Sequence, residues 1–171
     1  MVRAVEKAGV VAAVGYMCRH GYAIEKLKAM IEDGTAGRPT LFEGRFWCNA
    51  LHGPWWRRRD MSGGQILEQA IHVYDLALYL MGRPQVATGF AANLCHKDVE
   101  GYTVEDTSVA SIRFENGALA AIHASNCAVP MEWTHDYRVV CEKVTAIFSD
   151  PNAAEFIFTG GEVARHSVSA E

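Results

Sequence analysis

The chain has 171 residues, half of them hydrophobic, and a formal net charge of −4 at neutral pH. Such a length and composition predict one ordinary globular domain with a proper core. Basic residues are too scattered for a nucleic-acid footprint, no signal peptide is visible, and the apolar runs end before the ~18 residues of a membrane span. We therefore expect a cytoplasmic protein with neither a nucleic-acid nor a membrane partner.

The cysteines are odd in number, widely spaced and without a C-x-x-C pair. This pattern predicts reduced, buried thiols and no metal site. The five are Cys18, Cys48, Cys95, Cys127 and Cys141.

The first part of the chain predicts helices around an apolar strand. Residues 2–8 are typical of a helix tail closed by Gly9, and the apolar run 10–17 is typical of a buried parallel strand. A helix is predicted over 22–33 and a strand over 40–48.

After residue 82 the sequence changes to short β-rich runs separated by turns. The predicted strands are 85–94, 107–114, 118–125, 137–142, 145–149 and 155–158. Asn116-Gly117 predicts a hairpin with a type I′ turn. Helices followed by strands favour an α+β fold, in which helices cover one face of an open, largely antiparallel β-sheet.

The other face of this sheet needs its own cover. We assign to it the small and apolar side chains of one predicted strand, Ala118, Ala120, Ile122 and Ala124. An exposed apolar sheet face commonly pairs with another subunit. The sequence therefore predicts a homo-oligomer, a dimer or tetramer, built through the open sheet.

The segment from Gly64 to Met81 is the most informative one, because a single helix would place its polar residues on one stripe. That stripe holds Gln65, Glu68, Gln69, His72, Asp75 and Tyr79. It contains no Lys or Arg, and Ser62-Gly63-Gly64 before it would allow a ligand to approach the helix start. Glu68 and His72, four residues apart, would share one face, where the carboxylate can orient the imidazole. An ordinary amphipathic surface helix has the same pattern, so both interpretations stay open.

Three segments in order carry a family resemblance: KAGVVAAVGYMCRH, IEDGTAGRP and SGGQILEQAIHVYDLALYLMG. Together they resemble the C-terminal half of the glucose-fructose oxidoreductase / inositol dehydrogenase (Gfo/Idh/MocA) family over about residues 5–125. The resemblance implies a substrate-binding and oligomerisation domain that follows a Rossmann domain, in enzymes that use NAD or NADP on sugars, polyols or related compounds.

The sequence also departs from the complete family pattern. It has no G-x-G-x-x-G motif and no counterpart of the family's catalytic lysine. On the resemblance, residues 1–20 are a remnant of the end of the nucleotide-binding domain and residues 21–171 form the substrate domain. We therefore expect the N-terminal Rossmann domain to be absent, the cofactor-binding residues to be unknown, and no tight binding of NAD or NADP by this chain alone.

The resemblance assigns His72 as general acid/base, since an imidazole can take the hydroxyl proton as hydride leaves the same carbon. Glu68 stands where the family commonly has aspartate, and it would orient His72, bind a substrate hydroxyl or pair with Gln65. Asp75 matches a further family position and would touch ligand or fix a loop. Arg19 matches an arginine after the last Rossmann strand and would approach a ligand or form a surface salt bridge.

Other polar and aromatic residues suit sugar recognition. Gln65 and Gln69 can donate to and accept from hydroxyl groups, unless they are simply solvated. Trp55 and Trp56 can form a flat wall for a sugar ring or act as packing anchors. The histidines without metal-site spacing remain unassigned, namely His52, His96, His123 and His135.

Three functions fit these patterns. The leading hypothesis is the substrate half of a nicotinamide-dependent oxidoreductase, with His72 and Glu68 as catalytic residues. The second is a non-catalytic ligand-binding or assembly module. The third is a metal-assisted hydrolase or isomerase built on Glu68, His72 and Asp75.

Overall fold

A computed structural model describes residues 1–170. The helices are α1 (Val2–Ala8), α2 (Tyr22–Glu32), α3 (Arg59–Ser62), α4 (Gln65–Glu68) and α5 (Ile71–Met81), with a 3₁₀ helix over Met17–His20. The strands are β1 (Pro39–Trp47), β2 (Pro84–Ala92), β3 (Thr107–Phe114), β4 (Leu119–Ser125), β5 (Thr134–Cys141), β6 (Val144–Asp150), β7 (Ala153–Phe158) and β8 (Ala164–Ser169). Within this range, no helix has the length and apolar character that crossing a membrane requires.

All eight strands belong to one open sheet, in the order β2-β3-β4-β1-β5-β6-β7-β8. Only β1 and β4 are parallel neighbours, and the other pairs are antiparallel. The predicted α+β fold with a largely antiparallel sheet is thus confirmed. The sequence prediction missed β8, because this edge strand has Val168 as its only large apolar residue.

Helices cover one face of the sheet, where α5 packs on β1 and β4 and α2 packs on β7 and β8. Phe42 and Val139 are register partners on this face and are fully buried. Gly44 lets α5 come close, since a Cβ atom at this position would lie 2.5 Å from Val73 Cγ1. Burial of this apolar layer is the main source of stability of the domain.

The opposite face keeps apolar side chains exposed, but they are not the predicted ones. The residues assigned to that face from the sequence are at most 4% exposed beneath the helices: Ala118, Ala120, Ile122 and Ala124. A strand alternates with a period of two, and the assignment was one residue out of phase. The exposed apolar side chains, 41% to 84% accessible, are Leu41, Val86, Phe90, Val109 and Leu119.

The apolar run 10–17 forms no strand, contrary to the prediction. Residues 10–15 are exposed and have no regular structure, and the 3₁₀ helix begins at Met17. A buried parallel strand is stable only between neighbouring strands, and none of the described strands pairs with this run. The helix before it does end at Gly9, which adopts a left-handed φ of 62°.

The single helix predicted from Gly64 to Met81 is broken into α4 and α5. The N–H groups of Gln69 and Ala70 both donate to the carbonyl of Gln65, and the second bond spans five residues. Such an i to i+5 bond is the local pattern of a π-type bulge. The bulge rotates the residues before it relative to those after it, so the polar stripe is not continuous.

The hairpin at Asn116-Gly117 joins β3 to β4, as predicted, but its turn differs. A type I′ turn needs a positive φ at both of these residues. Gly117 has a φ of 88°, but Asn116 does not have a positive φ. The Gly117 N–H donates to the Phe114 carbonyl, so the loop is a type I turn followed by a left-handed glycine. Asn116 Nδ2 donates to the Met81 carbonyl at 2.9 Å, which holds this turn against the end of α5.

Candidate functional site

A cavity of about 520 Å³ opens where α4 and the start of α5 meet the loop after β1 and the start of β5. Its lining residues are Met17, Cys18, Phe46, His52, Gly53, Trp55, Trp56, Glu68, Gln69, His72, Trp133 and His135. The wall is mostly aromatic and apolar, with a few polar groups among them, as in sites for small organic ligands. The sequence-predicted residues in this cavity are His72, Glu68, Gln69, Trp55 and Trp56.

His72 lies in the first turn of α5 and is partly accessible from the cavity. Its Nδ1 atom is buried and has no hydrogen-bond partner among the described residues. The Tyr16 ring meets the imidazole edge to face, with 6.4 Å between the ring centroids. Because Nδ1 is buried, a ligand in the cavity would have to use the other ring nitrogen, Nε2, which makes no hydrogen bond to the described residues.

Glu68 lines the same cavity but does not contact His72 in the predicted way. Its Oε2 atom accepts a hydrogen bond of 2.6 Å from Trp56 Nε1, and no hydrogen bond joins it to His72 in the described residues. The bulge between α4 and α5 removes the i to i+4 geometry on which the prediction depended. The structure thus corrects the expected contact, while both side chains still face one cavity.

Gln69 and His52 form a polar pair in the cavity wall. Gln69 Nε2 lies 3.0 Å from His52 Nε2, and Gln69 Oε1 lies 3.8 Å from the Cys48 thiol. Burial lowers the pKa of His52, although the nearby Glu68 carboxylate opposes this shift. A neutral His52 can accept the amide hydrogen of Gln69, which fixes the orientation of that amide.

Aromatic side chains give the cavity its flat walls. Trp56 is only 1% exposed, and its ring centroid lies 4.4 Å from that of His52, so this side chain is a packing anchor. Trp55 is 49% exposed and remains accessible to a ligand. Trp133 forms the opposite wall of the cavity. Its ring centroid lies 6.1 Å from that of Phe46, and about half of the residue is accessible to solvent.

The sequence did not indicate three further residues of the cavity lining, His52, Trp133 and His135. His135 stacks on Phe46, with ring centroids 6.2 Å apart. Trp133 directly precedes β5 and His135 is in its first residues, both more than seventy positions after Trp56 in the chain. No short-range spacing could reveal them, although the proximity of His52 to the tryptophan pair is a weak signal.

Arg19 and Asp75, both predicted to bind substrate, bind each other instead and do not line the cavity. The guanidinium donates to both carboxylate oxygens of Asp75, which is 5% exposed, and this hydrogen bonding raises the pKa of Arg19. The pair ties the 3₁₀ helix to α5. In the part of the chain that the structure describes, Glu68, His72 and Asp75 do not come together as a group of metal ligands, which a metal-assisted hydrolase would need.

Gln65 also lies outside the cavity lining. Its side chain is fully buried, and neither amide atom has a hydrogen-bond partner in the described chain. The helix start after Gly64 is not open to a ligand, since Glu105 Oε1 accepts the Ile66 N–H at 2.8 Å. A Cβ atom on Gly64 would lie 2.5 Å from the Glu105 carboxylate. The small residues before α4 therefore accommodate this internal cap.

The chain resembles known proteins over most of its length. Residues 24–147 match the model of the GFO/IDH/MocA C-terminal domain. A myo-inositol 2-dehydrogenase of Thermotoga maritima is 32% identical over 141 residues, which are 81% of this chain and 40% of that protein. A scyllo-inositol 2-dehydrogenase (NAD(+)) of Bacillus subtilis is 30% identical over 135 residues, 78% of this chain and 38% of its own length.

Solved structures show the same fold at lower sequence identity. A levoglucosan dehydrogenase in complex with NADH and levoglucosan superposes with a TM-score of 0.84 at 21% identity, covering 94% of this chain and 48% of that one. The chain thus spans about two fifths of the length of its matched curated relatives. By its matched residues and its fold, the chain belongs to the Gfo/Idh/MocA family, as a C-terminal domain.

Proposed function

We propose that this chain is the substrate-binding half of an NAD(P)-dependent oxidoreductase that acts on a sugar, a polyol or a related compound. The observation that carries this proposal is His72, a partly accessible imidazole in the cavity lining whose ring makes no hydrogen bond to the described residues. Imidazole is suited to general acid/base chemistry near neutral pH. His72 then holds and releases the proton of the substrate hydroxyl at the carbon that changes oxidation state.

The other cavity residues bind and orient the substrate in this proposal. The Trp55 and Trp133 rings offer flat apolar surfaces to the C–H faces of a sugar or polyol, and the Gln69 amide offers polar contacts to its hydroxyl groups. Glu68, whose carboxylate already accepts from Trp56, binds a further hydroxyl instead of orienting His72.

A polyol titration tests this assignment directly. Three tryptophans line the cavity, so their fluorescence reports on its occupancy. Titration of the chain with myo-inositol and with levoglucosan is expected to give a saturable change for at least one of them, in wild type and not in a Trp55→Ala/Trp133→Ala variant. A wild-type signal that stays flat with both compounds, in a protein shown to be folded, would contradict this part of the proposal.

The residues of this chain alone do not fit a dinucleotide. No strand in the sequence leads through a G-x-G-x-x-G turn into a helix, which is the arrangement that holds a pyrophosphate. We therefore propose that NAD or NADP is held by a separate nucleotide-binding domain. Calorimetry with NADH and NADPH is expected to show no tight binding to this chain, and clear micromolar binding would overturn this view.

The alternative is a non-catalytic ligand-binding or assembly module. The same cavity would then bind a polyol, but replacing His72 would leave any activity of an assembled enzyme unchanged. Turnover of an enzyme that joins this chain to a nucleotide-binding domain therefore distinguishes the two functions.

The uncovered sheet face supports a homodimer or tetramer in this proposal. Leu41 and Leu119 are register partners there, and Phe90 and Val109 are partners two strands away, all exposed. Exposed apolar side chains on an uncovered sheet face favour self-association. Sedimentation is expected to show an oligomer for wild type and a monomer for Leu119→Asp, and a folded wild-type monomer at high concentration would contradict it.

A further inference from the structure

A second group of reactive side chains lies behind the cavity wall, where the loop after β2 meets the ends of β3 and β4. Ligand atoms of Cys95, Asp106 and Cys127 all lie within 4.8 Å of one another. His96 Nδ1 lies 3.2 Å from Asp106 Oδ2 and 4.0 Å from Cys127 Sγ. Two thiols, one imidazole and one carboxylate thus converge from three segments of the chain.

We propose that Cys95, His96, Asp106 and Cys127 bind one divalent cation of the zinc class. In a tetrahedral site with metal–sulfur bonds of about 2.3 Å and metal–nitrogen bonds of about 2.0 Å, ligand atoms lie roughly 3.3–3.8 Å apart. The distances from His96 to Asp106 and Cys127 bracket this range, and the ligand atoms of Cys95, Asp106 and Cys127 lie within 4.8 Å of one another, so side-chain movements, chiefly of Cys95, would complete the site. Sulfur and nitrogen donors select zinc or cobalt over magnesium or calcium.

The charge of Asp106 supports a cation at this place. Its side chain is fully buried, and its oxygens accept hydrogen bonds from the backbone N–H groups of Leu94, Cys95 and His96. In the described chain, no Lys or Arg forms an ion pair with it, and His96 is its only basic neighbour within salt-bridge distance. These hydrogen bonds, with one from the Thr107 hydroxyl, stabilise the carboxylate, and a divalent cation would add the full positive charge that no described Lys or Arg provides.

The position of the cluster indicates a structural purpose. Cys95 is exposed, which gives an ion an entry path, whereas Asp106 and Cys127 hold the interior side. The ring centroid of His96 lies 4.8 Å from that of Tyr102, and the ring centroid of Tyr102 lies 6.4 Å from that of Trp56. A bound ion would therefore fix the loop that supports the back of the cavity. This site is independent of the proposed oxidoreductase function.

Titration of the reduced, full chain with Co²⁺ tests the proposal. One Co²⁺ per chain is expected, with a thiolate-to-cobalt charge-transfer absorption that Zn²⁺ displaces. The absorption should be lost in Cys95→Ser, whose exposed position makes folding secure, and in Cys127→Ser. Cys141→Ala is the matched control, because Cys141 lies at the end of β5 outside the cluster and should leave the absorption unchanged.

Thermal unfolding gives a second readout. Zn²⁺ at about 100-fold above its Kd should raise the Tm of wild type by roughly 5–10 °C and leave that of Cys95→Ser unchanged. Folded, reduced wild type that shows no charge-transfer absorption would overturn the proposal. So would an absorption that survives in both cysteine variants, or a Cys95–Cys127 disulfide in a protein that binds no metal after reduction.

Discussion

His72 and Asp75 lie three residues apart on α5, yet the structure gives them opposite surroundings. The imidazole faces a cavity and has a ring nitrogen without a partner in the described chain, whereas the carboxylate is buried in a bidentate ion pair with Arg19. An imidazole that lines a cavity without a hydrogen bond to the protein is available to a ligand, while a fully paired carboxylate contributes to packing. One polar stripe in the sequence therefore contains two kinds of residue, which mutation of each can distinguish.

Replacement of His72 should have the largest effect on activity. In an enzyme that joins this chain to a nucleotide-binding domain, His72→Ala should lower kcat/KM by roughly 10²–10⁴-fold, the usual contribution of a general acid/base. The free energy of unfolding should change little, because the ring nitrogen makes no hydrogen bond that would be lost. His166→Ala, an exposed histidine on β8, is the matched control and should keep wild-type turnover.

Replacement of Asp75 should have the opposite profile. Asp75→Ala leaves the Arg19 guanidinium without its partner and should lower the free energy of unfolding by about 1–3 kcal/mol, less than for a fully buried pair since Arg19 is partly exposed. Denaturant unfolding of Asp75→Ala, Arg19→Ala and the double variant measures the coupling. Weakened polyol binding with unchanged stability would place Asp75 in the site and contradict the distinction.

Replacement of Gln69 should have a smaller effect, confined to ligand binding. Gln69→Ala removes the cavity amide that His52 orients, and loss of one hydrogen bond of about 1 kcal/mol corresponds to roughly five-fold weaker polyol binding. Tryptophan fluorescence measures this change. Gln85→Ala, whose side chain binds Arg113 on the sheet, should bind the polyol as wild type does.

The smallest effect concerns pH. Burial lowers the pKa of His52 from its ordinary value of 6.5, so the unfolded chain binds a proton at a higher pH than the folded chain. The stability contribution of neutral His52 is complete above about pH 6.5 and is lost as the pH falls from there through the folded pKa. Unfolding curves of wild type and His52→Gln should diverge in their pH dependence only below that value, and parallel curves would exclude this role.

Local patterns predicted the regular parts of the fold well. Alternating apolar residues identified β1, and β-rich runs bounded by turn residues identified β2 to β7. The same patterns gave wrong predictions where a segment's structure depends on which strands or helices pack beside it. The run 10–17 has the apolar composition of a buried strand but no neighbour in the described chain, and β4 was assigned the wrong face because alternation alone does not say which face the helices cover.

The site was only partly predictable, for two physical reasons. A helical wheel assumes an unbroken helix, and the bulge at Gln69 rotates Gln65 into the core while Gln69 and His72 face the cavity. Long-range pairing of β1 with β5 brings Trp133 and His135 beside the loop after β1, and no sequence spacing encodes that contact. The cysteine cluster escaped notice for the same reason.

A crystal structure of the chain with a bound polyol would decide whether His72 or Asp75 contacts the substrate. We expect a polyol hydroxyl within hydrogen-bond distance of His72 and of Gln69 Nε2, the ring of the ligand against Trp55 or Trp133, and the Arg19–Asp75 ion pair intact. A polyol bound to Arg19 and Asp75 with their ion pair broken, or a polyol that leaves His72 without contact, would contradict it.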